Sequence, residues 1–183
     1  MFQYFSLLLE CPSTGVKQHA DELDMILNEK SPCALEALAG FFEFVRQGPV
    51  SRLEVIYTTT FDLQGVCPPY VGQHLFGESY KRKWFMARLN EEYQRRGFNT
   101  GDELPDHVAV VLRFLAQGYE DEFSHVLQNE GLMPAVVGML KTFVENNANP
   151  YRHLLEGLLV VLLEAGSEST GDQVGSTEGG SVD

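Results

Sequence analysis

The stretch Val108–Leu115 constrains this chain more than any other. Val108, Val111, Leu112 and Leu115 recur at i, i+3, i+4 and i+7, the spacing of one helical face. Val110 and Phe114 widen that face, so a helix here is apolar around most of its circumference and needs other helices packed about it. The approach to it, Glu103-Leu104-Pro105-Asp106-His107, is polar and marked by proline. Pro105 suits the first helical position, where its missing N–H costs nothing. That start puts Asp106 in the first turn, where the helix dipole favours a carboxylate. An acid and a histidine at the mouth of a buried helix suit a binding site, and they suit a well-capped core helix equally.

Helical patterning runs through the rest of the chain. Phe2, Phe5, Leu8 and Leu9 predict a short first helix stopped at Pro12, and Val16, Ala20, Leu23 and Leu27 a second. Ser31-Pro32 reads as an N-cap with proline at the first position, followed by Leu35, Leu38, Phe42 and Val45 and closed by Gly48-Pro49. Ser51-Arg52-Leu53-Glu54 has the form of a capping box for a fourth helix with Leu53, Ile56, Tyr57, Thr60 and Phe61 as its face. Residues 65–77, with Pro68-Pro69, Gly72 and Gly77, read as a long loop. A helix over 78–96 follows, with Tyr80, Phe85, Met86, Leu89 and Tyr93 inward and Gly97 as its stop.

After the central helix, Gly118 is a stop. Glu120, Asp121 and Glu122 open another helix that is expected to end at Gly131. Val136, Leu140, Phe143 and Val144 mark the next, ending at Asn146-Asn147. Asn149-Pro150 caps a last helix through Leu154, Leu155, Leu158 and Leu162 to Gly166. Residues 167–183 are Ser, Gly, Thr and acids with too little apolar surface to fold, so a disordered acidic tail is expected there. The expectation is an all-α bundle of about nine helices, one domain over 1–166 plus the tail.

Composition bounds the function classes. The 183 residues carry a net charge of −13, with a pI near 4.7, which argues against a nonspecific nucleic-acid binder. The same charge suits a basic peptide partner and also simple solubility. Cys11, Cys33 and Cys67 are scattered and odd in number, which suits a reducing cytoplasm rather than a disulfide framework. No Cys-x-x-Cys or His-x-x-x-His pair points to a metal. The N-terminal apolar residues lack a basic leader and a cleavage site, so no secretory signal is expected. The longest apolar run, around residues 154–163, is too short to span a bilayer. There is no Gly-x-Ser-x-Gly, P-loop or Gly-x-Gly-x-x-Gly. The loop aromatics Tyr70 and Phe76, with His74, suit a peptide groove or a plug over the end of the bundle. Lys81, Arg82, Lys83, Arg88, Arg95 and Arg96 share one helix. They suit a phosphate-rich ligand, or a solvated face paired with Glu91 and Glu92.

Glu-x-x-Asp-His, here Glu103, Asp106 and His107, ahead of an apolar helix resembles the signature of the dedicated chaperones of molybdenum oxidoreductases. That family includes the nitrate reductase assembly chaperones and their counterparts for trimethylamine oxide and dimethyl sulfoxide reductases. Tyr57-Thr58-Thr59-Thr60-Phe61 matches its Tyr-x-x-x-Phe element, and Thr60-Phe61-Asp62-Leu63 is similar to a run of the nitrate reductase branch. Pro68-Pro69-Tyr70 and Tyr93-Gln94-Arg95-Arg96-Gly97 fit the following loop and helix end. Val71-Gly72-Gln73-His74-Leu75-Phe76-Gly77 departs from the Tyr- and His-rich segment of the nitrate reductase chaperones, leaving a related molybdenum enzyme open as the client.

The resemblance implies a cytoplasmic chaperone and not an enzyme. Such a protein binds the N-terminal peptide of an apo catalytic subunit, often a twin-arginine leader, and assists molybdenum cofactor insertion before export or membrane docking. It implies client-peptide contacts from Tyr57, Phe61, Tyr70, His74, Glu103, Asp106 and His107, with no catalytic residue, no metal and no cofactor of its own. No nucleic acid and no membrane insertion are expected, and a homodimer is compatible with such bundles. Two other classes stay open on the residues: a small helical enzyme using Asp106 and His107, and a structural subunit of a complex.

Overall fold

The computed structural model describes residues 1–62, 65–143 and 148–171, and these residues are all-α. The elements are α1 (Phe2–Leu8), α2 (Val16–Lys30), α3 (Pro32–Gln47), α4 (Val50–Phe61), α5 (Val71–Phe76), α6 (Tyr80–Arg95), α7 (Val108–Leu115), α8 (Glu122–Val126), α9 (Met133–Lys141) and α10 (Pro150–Gly171). A π-helical turn, Leu127–Leu132, joins α8 to α9. No helix among the described residues is long and apolar enough to cross a membrane.

The core is built around α7, as its pattern requires. Every residue of α7 except Arg113 is buried. Helix α1 lies along it, and the buried Ser6 hydroxyl donates to the Ala109 carbonyl at 2.9 Å. Helices α3 and α10 pack closely because two glycines clear the way. A Cβ at Gly157 would collide with Leu38, and one at Gly40 would meet the His153 ring at 2.7 Å. Tyr57, Phe61, Phe41 and Tyr151 form an aromatic cluster where α3, α4 and α10 meet, with ring centroids 5.0–5.9 Å apart. Ser31 caps α3 as its sequence demands, accepting from the Ala34 N–H at 3.3 Å. Asn149 caps the first turn of α10 through the Tyr151 N–H at 3.0 Å.

Several boundaries differ from the sequence expectation, each for a local reason. Helix α4 begins at Val50 after an extended Pro49, so Ser51 lies inside the helix and caps nothing. The expected loop at 65–77 contains α5, because Val71 is buried and the helix packs against α9. Gly131 does not end a helix. The π turn carries the chain through it and on to Pro134, whose missing N–H would break an ordinary ladder at that place. Tyr80, expected inward, is exposed at the first turn of α6. Helix α7 starts at Val108 and not at Pro105. Pro105 and Asp106 sit in a turn closed by the His107 N–H on the Leu104 carbonyl, and His107 leaves it extended to pair with another segment. Helix α10 continues past Gly166 to Gly171. Leu63, the expected helix end at Val144 to Asn147, and the tail from 172 onward lie outside the described residues.

Candidate functional site

Two segments distant in sequence meet ahead of α7. Tyr70 and His107 form an isolated antiparallel bridge. The Val71 N–H donates to the Asp106 carbonyl at 2.8 Å, and the Val108 N–H to the Pro69 carbonyl at 2.8 Å. This pairing holds His107 extended, as the N-cap of α7, and its Nδ1 accepts from the Ala109 N–H at 3.2 Å. The neutral ring therefore carries its proton on Nε2. The His107 ring stands edge-on to Tyr70, with centroids 5.7 Å apart. From α6 the buried Tyr93 hydroxyl donates to the Pro105 carbonyl at 3.1 Å and fixes the start of the segment.

The bridge forms one wall of a cavity of about 410 Å³. Tyr57 and Phe61 from α4, Pro69 and Tyr70 from the loop, and His107 give it an apolar and aromatic floor. Its rim is charged: Glu10, Asp62, Asp102, Glu103 and Arg113. Arg113 pairs with Glu10 at 3.2 Å and donates to the Thr100 carbonyl at 2.7 Å, so these two charges are satisfied internally. Asp62, Asp102 and Glu103 are exposed, and no cation among the described residues pairs with them. The cavity is therefore an aromatic hollow with an uncompensated negative rim. Such a rim attracts cations, and arginine can bind carboxylates while stacking on aromatic rings.

The titratable groups inside follow from burial. Burial lowers the His107 pKa, against the pull of Glu103 and Asp106, which favour its protonated form. Burial, with nearby carboxylates adding to it, holds the Tyr57 and Tyr70 hydroxyls above the ordinary tyrosine range. Tyr57 is a hydrogen-bond donor, reaching the Leu9 carbonyl at 3.5 Å.

Of the seven residues that the sequence singled out, Tyr57, Phe61, Tyr70, Glu103 and His107 line this cavity. Asp106 and His74 do not. Asp106 is fully buried and turns to α6, where it meets Arg82 Nε at 2.9 Å. The backbone explains this. The chain passes from a turn at Asp106 to extended geometry at His107, and side chains of neighbouring residues there diverge. His107 faces the cavity and Asp106 faces α6. One ring nitrogen of His74 lies 2.8 Å from the Pro68 carbonyl, and its ring packs over Gly138. It closes the loop onto α9, and burial lowers its pKa.

Sequence reasoning missed Glu10, Cys11, Asp62, Asp102 and Arg113, which reach the cavity from the end of α1, the end of α4, the loop before α7, and α7 itself. It also missed the role of Arg82. A signal for Arg82 was present: it shares a helical stripe with Phe85, Leu89 and Tyr93, so it is a charge on an inward face. The basic cluster of α6 is paired largely within the protein. Glu92, buried, receives Arg88, Arg95 and Arg96, and Arg96 also pairs with Asp121 at 2.8 Å. A larger groove of about 530 Å³ between α2 and α3 is a weaker candidate, because its Arg46 is already held by Asp21 and Asp24. Among the described residues no group of three or more His, Cys, Asp or Glu side chains is arranged to hold a metal.

Comparison with known proteins gives consistent findings. The family model described as nitrate reductase delta subunit matches residues 13–156. The nitrate reductase molybdenum cofactor assembly chaperone NarJ, from two strains of Escherichia coli, is 27% identical over 159 residues. The alignment covers 84% of this chain and 66% of the relative, so the chain spans just under two thirds of those proteins' length. A crystal structure from Archaeoglobus fulgidus, assigned as a redox enzyme maturation protein, superposes with a TM-score of 0.61 at 21% identity. That match covers 88% of this chain and 91% of the other and shows a shared fold.

Proposed function

The chain belongs to the nitrate reductase delta subunit family, and from that premise we propose that it is an assembly chaperone for a molybdenum oxidoreductase. In this reading it holds the basic N-terminal segment of the apo catalytic subunit in the cavity between α4, the 65–70 loop and the start of α7. The subunit stays competent for molybdenum cofactor insertion, and the chaperone leaves before export or membrane docking. The work is done in the cytoplasm.

The observation that carries the reading is the pairing of three uncompensated carboxylates, Asp62, Asp102 and Glu103, with an aromatic floor. A guanidinium at the rim gains charge-assisted hydrogen bonds. A flanking apolar side chain packs onto Tyr57, Phe61 and Tyr70. A basic leader offers both kinds of group side by side.

Chemistry at Asp106 and His107 has less support. The Asp106 carboxylate is buried against Arg82, and His107 opens to the cavity without it. The two cannot act on one substrate atom. The reading as a permanent structural subunit differs in its assembly behaviour, and the test uses that difference. The tagged chain is co-expressed with a nitrate reductase-type catalytic subunit from the same organism, intact or lacking its N-terminal segment. It should capture the apo subunit only when that segment is present, and it should be absent from the mature enzyme. Capture that ignores the segment contradicts the peptide site, and retention in the mature enzyme contradicts the chaperone role.

A further inference from the structure

We infer that Arg82 is the positioning residue of the peptide cavity: it fixes from α6, through Asp106 and Tyr70, the wall that a client peptide meets. The inference rests on the reading of that cavity as a peptide site. Arg82 does not line the cavity. Its Nε lies 2.9 Å from Asp106 Oδ2 and its Nη2 3.5 Å from Oδ1, a two-point contact to a fully buried carboxylate. Its guanidinium carbon lies 5.0 Å from the centre of the Tyr70 ring. The remaining nitrogen, Nη1, reaches the exposed Glu78 at 3.3 Å.

Asp106 thus joins three elements. Its side chain holds α6, its carbonyl accepts the Val71 N–H, and the next residue, His107, bridges to Tyr70 and opens to the cavity. Tyr70 is held between the Arg82 guanidinium and the His107 ring, which stands nearly perpendicular to it. The arrangement needs a bare backbone at Gly72. A Cβ there would stand 2.8 Å from Asp106 Oδ2 and 3.0 Å from Arg82 Cγ and Phe85 Cδ1. Of the two acids of the Glu-x-x-Asp-His signature, Asp106 is therefore engaged inside the protein. It orients the aromatic wall and does not touch the client. Lysine cannot replace Arg82, because a point charge lacks the planar fork that meets a carboxylate while lying on a ring.

The test compares Arg82→Gln, Asp106→Asn, their combination and Arg82→Lys with the parent. The probe is a short synthetic peptide with adjacent arginines followed by Phe and Leu. Binding is measured by titration calorimetry below every melting point, with amide exchange at Val71 and Val108 followed by NMR. The double variant leaves no buried charge alone, so it should melt near the parent. It should still bind the probe roughly fivefold weaker or worse, the scale of one lost cation–π contact. Its Val71 and Val108 amides should exchange about tenfold faster as the bridge opens locally. Arg82→Lys should also bind weakly. Parental affinity and exchange in the double variant would overturn the inference, because Arg82 would then only balance a charge. Parental affinity in Arg82→Lys would overturn the role of the fork. A parent that does not bind the probe refutes the peptide reading itself, and amide exchange then decides alone whether Arg82 fixes the wall.

Discussion

Tyr93→Phe isolates the bond that holds the segment ahead of α7. Tyr93 is 1% exposed, and its ring packs against Phe98 and Phe114 with centroids 5.0 and 4.8 Å away. Removing only the hydroxyl keeps this packing and leaves no cavity that could collapse. Burial pushes the hydroxyl far above its ordinary pKa, so it is a donor at every accessible pH. Among the described residues its hydrogen-bond partner is the carbonyl of the buried Pro105. The substitution would leave that carbonyl without a donor, at a cost of about 1–3 kcal/mol for an unsatisfied buried acceptor. At about 3 °C per kcal/mol for a chain of this size, the melting temperature should fall by ~3–9 °C. A thermal melt by circular dichroism reads the shift, with helix content unchanged at low temperature. A change below about 1 °C would show that the Pro105 carbonyl finds another donor and that Tyr93 does not hold the segment. A fall beyond about 12 °C, above ~4 kcal/mol, would mean the ring had repacked, which this account does not allow.

Further outcomes follow from burial. His74 and His107 both sit below the ordinary histidine value of 6.5, with desolvation the leading cause. As pH falls through 6.5 the unfolded chain takes up protons that the folded chain refuses, so stability should decline from pH 7 toward 5. Urea midpoints measured across that range should fall, and His107→Gln should flatten the slope; a rise on acidification would contradict the sign. The lowered carboxylates Glu92 and Asp121 act separately, losing their contribution only below their ordinary values of 4.5 and 3.8. Thiol labelling should find Cys33 fastest, Cys11 slower and Cys67 protected until unfolding. Cys67 is buried with its pKa pushed up to about 11, and burial also raises Cys11. Mass spectrometry after timed alkylation checks the order, and early loss of Cys67 would refute its burial.

The longer helices were legible because they carry a 3.6-residue apolar pattern, with start signals that hold at Ser31-Pro32 and Asn149-Pro150, whereas the six-residue α5 was hidden in an expected loop. What was not legible depends on contacts between distant residues. Nothing near Pro105 announces that Asp106 and Val108 will pair with Val71 and Pro69, and that pairing holds the start of α7 at Val108. The same pairing turns Asp106 away from the cavity and His107 into it. The signature residues could therefore be found from sequence while their two sides could not. Glu10 has no local mark at all, since only the packing of α1 on α7 brings it to Arg113. Gly131 reads locally as a stop, but the π turn that carries the chain through it to Pro134 follows from the burial of Leu127, Gly131 and Leu132 beside the buried face of α9.

The central claim is that uncompensated carboxylates over an aromatic floor recognise a basic client segment. Titration calorimetry of the Arg-Arg-Phe-Leu probe against the parent and against Asp102→Asn/Glu103→Gln, at low and physiological ionic strength, tests it directly. Both acids are exposed and unpaired among the described residues, so the variant should melt like the parent. The account predicts that parental affinity falls as salt rises. It also predicts that the variant binds roughly three- to tenfold weaker, the scale of two exposed charge pairs, with a shallower salt dependence. Equal affinity in the two proteins, unchanged by salt, would contradict it.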